Sequence, residues 1–396
     1  MTLTQTAQAF RTFVKVFAVL IVAVIAIRGG TLMFEIFFPP EPPEPPAPVF
    51  DAKFGALPVL NITTSLAQYA DNYSGRLDLL QSSLPTTPEV AYVYPVLKAP
   101  YGFLSEDRAK EVADAFGLFG DPYKLSAIES VWRGPNQTLT VNDQTLNFFY
   151  QYRYNLDPSV FVNGTYTSAQ QVIIAAQELR ESYNIFGGYA DDLGVLQPKI
   201  YLVKYQNQTL QPATDFSDVT AVRVDFIRNR ITYALGGQST RTYDFVSPNY
   251  VGSVAYVLMG TKDLTTPQPL EVSHTLWRYN ASEGGTYPVL SSVKAWEMLQ
   301  AQPQKYTVYV GNLSLGPLDR NTSIPTISTL TVKTVTFSYY NPKNEMDYIQ
   351  PVWVFKGKAG LNVGGELDWV AYVPAIDTAY VDTSTITPTA TPPPAF

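Results

Sequence analysis

The chain has 396 residues, 27 Lys+Arg against 34 Asp+Glu for a formal net charge of −7, no cysteine and one histidine. These counts exclude thiol nucleophiles, disulfide frameworks, zinc–thiolate and iron–sulfur sites, and any two-histidine metal centre. An acidic balance without a basic block argues against a nucleic-acid partner, because such binding rests on Lys and Arg neutralising phosphates.

The first acidic residue is Glu35, whereas Arg11, Lys15 and Arg28 precede it. Every residue from Val16 to Ile27 is apolar, and Phe13 and Val14 extend the run beyond Lys15. At about 1.5 Å per residue that core covers ~18 Å of a ~30 Å hydrocarbon layer, so its flanks must contribute, with Lys15 reaching back to the headgroups. No small-residue cleavage pattern follows the run, which favours a retained anchor over a cleaved signal. Residues 1–38 are therefore expected to be a cytoplasmic N-terminus and a single transmembrane helix, anchored by Phe13, Lys15, Val16, Ile27 and Arg28. Basic residues on the N-terminal side place that end in the cytoplasm and everything after Phe38 outside. Arg28 and Glu35, seven apart, either form a polar seam on one helical face for a partner helix or mark a membrane that ends near Arg28 with Thr31–Phe38 at the interface; the second reading is favoured.

Residues 39–50 form a spacer: Pro39–Pro48 holds seven prolines in ten positions. Such a run adopts polyproline II at about 3.1 Å per residue and gives a stiff spacer of roughly 30 Å. Residues 382–396 are Thr/Pro-rich and read as a disordered tail. These two ends hold 11 of the 31 prolines, so the body between them is ordinary in proline content.

The body divides into three expected modules, 51–160, 161–280 and 281–381, each with a serine opening an amphipathic helix. Ser105 leads the first, with Ala109, Val112, Ala113 and Phe116 on one stripe; Ser168 leads the second, stopped at Gly187-Gly188; Ser291 or Ser292 leads the third, stopped by Pro303. Serine caps and Gly or Pro stops are coherent helix signals. Strands follow each helix: Ala127–Trp132, Gln137–Val141 and Thr145–Tyr154; then Lys199–Tyr205, Val219–Ile227 and Arg230–Leu235; then Lys305–Val310, Leu330–Tyr340, Ile349–Lys356 and Leu367–Val373. They are rich in Tyr, Val, Thr and Phe with partial alternation. The expected fold class is α+β: a single N-terminal transmembrane helix followed by tandem helix-plus-antiparallel-meander modules.

A serine-led helix with Ala at the third or fourth place, followed by two or three strands, resembles the PepSY-type module of extracytoplasmic bacterial proteins. In the last module the helix Ser291–Leu299, the strand Val335-Thr336-Phe337-Ser338-Tyr339-Tyr340 and the segment Gln350-Pro351-Val352-Trp353-Val354-Phe355 are similar to the C-terminal unit of the YycH/YycI group. That resemblance implies a single-pass protein whose outward domain modulates a membrane sensor kinase, and it brings no catalytic residues. It covers about a third of the chain; the proline spacer, the Thr/Pro tail and the middle module depart from it.

Several constellations carry residue types that could do chemistry. Ser291-Ser292-Val293-Lys294 fits the S-x-x-K of penicillin-recognising enzymes, but Ser247-Pro248-Asn249 and Lys333-Thr334-Val335 complete that set in the wrong order and without the required glycine, so Ser291 reads as a cap. His274 has Ser273 as its neighbour, which a strand turns to the opposite face, and no nucleophile elbow occurs; it reads as a strand or loop histidine near the surface. The acidic clusters Asp191-Asp192, Glu106-Asp107 and Asp215 with Asp218 suit a helix first turn or loops as well as a sugar cleft. Asp71–Asp78 lacks the alternating oxygen ligands of a calcium loop, and no phosphate-binding glycine motif appears.

Eight of the 17 asparagines stand in N-x-[ST]: Asn61, Asn72, Asn136, Asn163, Asn207, Asn280, Asn312 and Asn321. They are either exposed acceptors for glycosylation or features of a polar surface. Trp132, Trp277, Trp353 and Trp369 fall on or near strands, where aromatics are mostly core or cross-strand pairs; the alternative is a face for stacking on a sugar, for which Trp353 and Trp369 are the candidates.

The expected function is a membrane-anchored, extracytoplasmic, non-enzymatic protein that binds and modulates another membrane or envelope protein through a sheet edge or helix face, with no cofactor and no metal. The alternative is a cell-surface glycan-binding or stalk protein.

Overall fold

The computed structural model describes residues 50–62, 73–79, 84–98, 101–162, 166–183, 198–234, 240–261, 267–318 and 326–382, with positions 14, 15 and 20 before them. The chain divides into two compact units, Met1–Pro48 and Val49–Phe396. In the first, Val14, Lys15 and Leu20 are helical and exposed; Phe13, Val16, Ile27, Arg28 and the proline run lie outside the described residues. No helix among the described residues is long and apolar enough to cross a membrane. The expected single transmembrane helix is thereby corrected, and its uninterrupted apolar core of ~18 Å falls well short of the ~30 Å such a helix has to cover.

The second unit opens with β1 (Leu57–Pro58), β2 (Tyr73–Leu79) and β3 (Val90–Pro95). Helix α1 (Phe103–Ala115) begins two residues before the serine expected to cap it. Ser105 is its third residue, and its Oγ accepts from the Gly102 backbone N–H at 3.1 Å. After α1 run β4 (Tyr123–Ser126), β5 (Glu129–Arg133), β6 (Gln137–Asn142) and β7 (Phe148–Tyr152). Helix α2 (Ala169–Ser182) is capped as expected, Ser168 Oγ accepting from Gln171 N–H. It leads to β8 (Lys199–Gln206), β9 (Thr209–Pro212), β10 (Ala221–Asp225), the hairpin of β11 (Ile231–Tyr233) and β12 (Arg241–Tyr243), then β13 (Phe245–Val246), β14 (Ala255–Gly260) and β15 (Pro269–His274).

These strands do not make two modules. They form one nine-stranded sheet in the order β4-β5-β6-β7-β15-β14-β10-β8-β9. The join is β7 against β15, from Gln151 opposite Glu271 to Phe148 opposite His274. Both helices lie on one face, where Ala113, Val172, Ala176 and Leu179 pack with Leu139, Tyr150, Val224 and Val257. Val160, Leu258, Leu270 and Leu318 cover part of the other face.

The chain continues through β16 (Gly285–Pro288), α3 (Ser292–Ala301), the single turn α4 (Pro303–Tyr306), β17 (Thr307–Gly311), β18 (Ile327–Tyr340), β19 (Tyr348–Ile349), β20 (Pro351–Leu361), β21 (Glu366–Pro374) and β22 (Val381–Asp382). The second large sheet runs β13-β18-β20-β21-β17, and β2 also pairs with β18. Helix α3 packs Ala295 and Leu299 against Trp353, Phe355 and Trp369 on one face. Val246, Val251, Val308, Tyr340 and Val370 cover the other. A sheet buried on both faces explains why β20 opens with five consecutive buried residues, Pro351–Phe355, instead of alternating.

The expected tandem α+β modules are thus corrected to one interlocked, sheet-dominated body: the described part of Val49–Phe396 has 22 strands and four α-helices. The first expected module gives β2 to β18 in parallel and β3 to β16, β1 pairs in parallel with β22, and β13 from the second module adds to β18. Long-range pairings of this kind satisfy strand edges that separate meanders would leave open.

Candidate functional site

Between the β8–β10 end of the nine-stranded sheet and the β18–β20 part of the second sheet lies a cleft of about 890 Å³. That is within the range of small-ligand sites. Strand β8 supplies Lys199 and Tyr201, the end of β10 supplies Asp225, and the chain leaving β10 supplies Arg228 and Arg230. Tyr243, Asp244, Phe245 and Tyr250 come from β12, β13 and the following loop; Phe337, Asn341 and Lys356 come from the second sheet.

Most of the charge is held in place. Arg223 Nε donates to Asp225 Oδ1 at 2.6 Å and its Nη2 to Oδ2 at 3.3 Å, while Ser253 N–H donates to Oδ2 at 2.6 Å. The Arg223 guanidinium also lies 3.5 Å from the Tyr256 ring centroid. Burial pushes the Asp225 carboxyl up, and Arg223 and the Ser253 N–H oppose that shift; the bidentate contact is that of an ionised carboxylate. Arg228 is buried and donates to Asn341 Oδ1 at 3.1 Å and to the Trp277 carbonyl, with Phe245 and Tyr279 rings 4.2 and 5.2 Å away. Arg230 pairs with Asp244 at 2.6 Å. Tyr201 donates to the Val251 carbonyl at 2.7 Å, and burial pushes its phenol up to about 12.

Lys199 and Lys356 differ. Neither makes a direct ion pair among the described residues; Lys199 stands across the strand pair from Asp225 and helps oppose the burial of its carboxyl, and Lys356 Nζ sits 5.2 Å from the Tyr250 ring centroid. Four cations and two carboxylates line the cleft, so it is a positive site in a chain of formal charge −7.

The residues singled out from the sequence lie elsewhere. Trp353 and Trp369 are 1% and 0% exposed, and their indole N–H groups donate to the Leu290 carbonyl and Thr307 Oγ1. Neither offers a ring face to a ligand. Trp132 and Trp277 are buried as well, bonded to the Gly120 and Pro342 carbonyls. His274 is the last residue of β15, lies in the core rather than near the surface, and burial pushes its imidazole down to about 3. Ser291 Oγ accepts from the Lys294 N–H, which is the cap of α3, and Ser292 Oγ donates to the Pro85 carbonyl.

Glu106 sits in the first turn of α1 and pairs with Lys124 at 2.8 Å. Asp215 Oδ1 accepts from the Ser217 N–H and caps a short 3₁₀ turn. Tyr73–Leu79 of the faint calcium-loop segment is strand β2. Asp191-Asp192, Asn72, Asn163 and Asn321 lie outside the described residues. Of the other sequon asparagines, Asn61, Asn207 and Asn312 are exposed and Asn136 and Asn280 half-buried. At Asn280 and Asn312 the N-x-S pattern has a local role: each Oδ1 accepts from the N–H and hydroxyl of the serine two residues on. Such Asx turns hold a loop whether or not a sugar is attached.

The cleft residues escaped the sequence because they come from four separated stretches and carry no spacing of their own. The one local signal was the charge and aromatic content of Arg228–Asp244, which brackets a hairpin. Among the described residues no cluster of His, Asp or Glu could hold a metal ion.

No family model matches the sequence, and no curated protein matches it. Among solved structures the chain is similar to an uncharacterized protein from Eubacterium rectale ATCC 33656, at 13% identity over 77% of this chain and 88% of that one, with a TM-score of 0.32. A likeness of that size establishes neither a shared fold nor a shared function.

Proposed function

We propose that the body from Val49 onward is a non-enzymatic binding module of the cell envelope, and that its ligand sits in the cleft between the two large sheets. The observation that carries this reading is how the charges in the cleft are used. Asp225 is committed to Arg223 and the Ser253 N–H, with Lys199 opposite it on β8, and Asp244 to Arg230, while Lys199 and Lys356 make no direct ion pair among the described residues. General acid–base chemistry needs a group able to take and return a proton in the site, and both carboxylates of this lining are held by arginines. Two available ammonium groups serve instead to hold an anion. The envelope location is supported only by the sequence, in which the apolar run Val16–Ile27 stands behind Arg11 and Lys15.

Association of the full chain with isolated cell-envelope material, compared with that of Lys199→Ala/Lys356→Ala, tests the reading. Saturable association that the double variant loses, at an unchanged thermal midpoint, is the expected result. Full association in the variant would remove the cleft as the binding site.

A protein partner docked on a sheet edge is the second reading, and one observation favours it. Among the described residues nothing pairs with the outer side of β4, the terminal strand of the nine-stranded sheet. Tyr123 and Leu125 on it are 64% and 54% exposed, and Phe119 just before it is 79% exposed. An open edge carrying apolar side chains is a template for strand addition. Under this reading Leu125→Lys abolishes the dominant crosslink formed in intact cells, and a crosslink that survives the substitution places the partner elsewhere.

A further inference from the structure

We propose that the ligand of this cleft is an acidic saccharide, a chain of pyranose rings carrying carboxylates of the uronic-acid type. The inference rests on the cleft being the binding site and names what it takes.

The charge comes first. Lys199 stands on β8 and Lys356 on β20, so the two ammonium groups without a direct ion pair come from different sheets, and the buried Arg228 adds a third positive charge to the lining. A ligand that satisfies both lysines carries at least two anionic groups spaced along it.

Ring and hydroxyl chemistry come next. The half-buried Tyr250 ring and the Lys356 ammonium are neighbours, 5.2 Å apart. A uronate presents the same pair of features side by side, an apolar C–H face and a carboxylate at the ring edge. Around them stand Ser247, Thr336 and Asn341. Asn341 Oδ1 is taken by Arg228, which leaves the amide NH₂ to donate to a sugar hydroxyl.

An acidic peptide has the charge but not the fit. Peptides bind extended by adding to a strand edge, or by inserting side chains into apolar pockets. Of the strands that wall the cleft, β8, β10 and β20 are each paired on both sides, and the two with an open side, β12 and β13, are only three and two residues long. The described lining mixes charged and polar groups with Val246, Val251, Leu313 and Val354, and its larger rings are packed: Tyr243 against Phe337 and Phe245 under Arg228.

The test is calorimetric titration of the full chain, in mild detergent, with trigalacturonate, neutral galactotriose and hexaglutamate. The acidic trisaccharide is expected to bind at least tenfold more tightly than either of the others and to weaken as salt is raised. Lys199→Ala/Lys356→Ala should weaken it at least tenfold with no change in thermal midpoint, and Tyr250→Ala should weaken it with its salt dependence retained. Tighter binding of hexaglutamate, lost in the double lysine variant, would overturn the saccharide while leaving the cleft as a binding site. No saturable binding of any of the three, or equal binding by the double lysine variant, would overturn the saccharide together with this cleft as the anion site.

Discussion

At the scale of single residues the interior makes one clear statement about pH. His274 is 3% exposed and stacks on Phe148 with ring centroids 5.3 Å apart. Its imidazole titrates at about 3 in the folded chain, because burial disfavours the cation, and near 6.5 once unfolded. Below pH 6.5 the unfolded chain therefore binds a proton that the folded chain refuses, and stability falls with pH by up to about 1.4 kcal/mol per unit until pH 3. With one histidine in the sequence, no other ordinary side chain titrates between pH 5 and 6.5. Urea midpoints should show a loss of roughly 1–2 kcal/mol across that window, and His274→Gln should flatten it; an equal slope in the variant would assign the loss to another group. The sequence placed His274 in a strand or loop but near the surface. What it could not convey is that β15 lies fifth of nine in its sheet, so the end of that strand is interior. Trp353 and Trp369 take the core reading of strand aromatics and not the sugar-binding one; an aromatic on a strand looks the same in sequence whether its face is covered or open.

At the scale of elements, local signals were legible and close approaches were not. Ser168 and Ser291 cap helices as their spacing indicated, because a cap is a contact three residues long. Strand β14 went unread, since its residues Ala255–Gly260 are almost all buried and so show no alternation. Strand β20 was expected to stop at Lys356, just before a glycine, yet it continues to Leu361. Gly357 is not a stop but a crossing point. Its partner β18 shifts register between Val332 and Thr334, and a Cβ on Gly357 would fall on the Thr331 carbonyl. Backbone cannot yield as a side-chain tip can, so Gly357→Ala should cost roughly 3 kcal/mol or more, read as a drop in urea midpoint; a cost under about 1 kcal/mol would mean that the two strands separate freely there. Gly316 is a second such point: its φ of 62° is left-handed, and a Cβ there would strike the Tyr201 ring on the cleft wall. The cleft is thus partly shaped by a missing methyl group, which no motif search reports.

At the scale of the whole molecule the decisive contacts join the two ends of the body. Leu57–Pro58 pairs with Val381–Asp382, Tyr73–Leu79 adds to β18, and β3 takes β16 on one side and β19 on the other. Composition and order of elements indicated helices followed by strands, and that much is present. Pairing across 200 or 300 residues has no counterpart in local periodicity, so the same elements read as three tandem modules. The two arrangements differ in how they unfold. Tandem modules would melt separately, and each would fold when excised. In the interlocked body, residues 161–280 alone would have lost the β7 partner of β15 and the β18 partner of β13. That fragment would expose one side of β15, a strand with five of its six residues buried. We expect it to lack a cooperative transition by circular dichroism and to aggregate through that edge, while Val49–Phe396 unfolds in a single transition followed coincidently by tryptophan fluorescence and far-ultraviolet signal. A fragment 161–280 that melts cooperatively at a midpoint near that of the intact body would show that the nine-stranded sheet is two sheets in contact. The cleft would then lie at a joint instead of within a rigid wall.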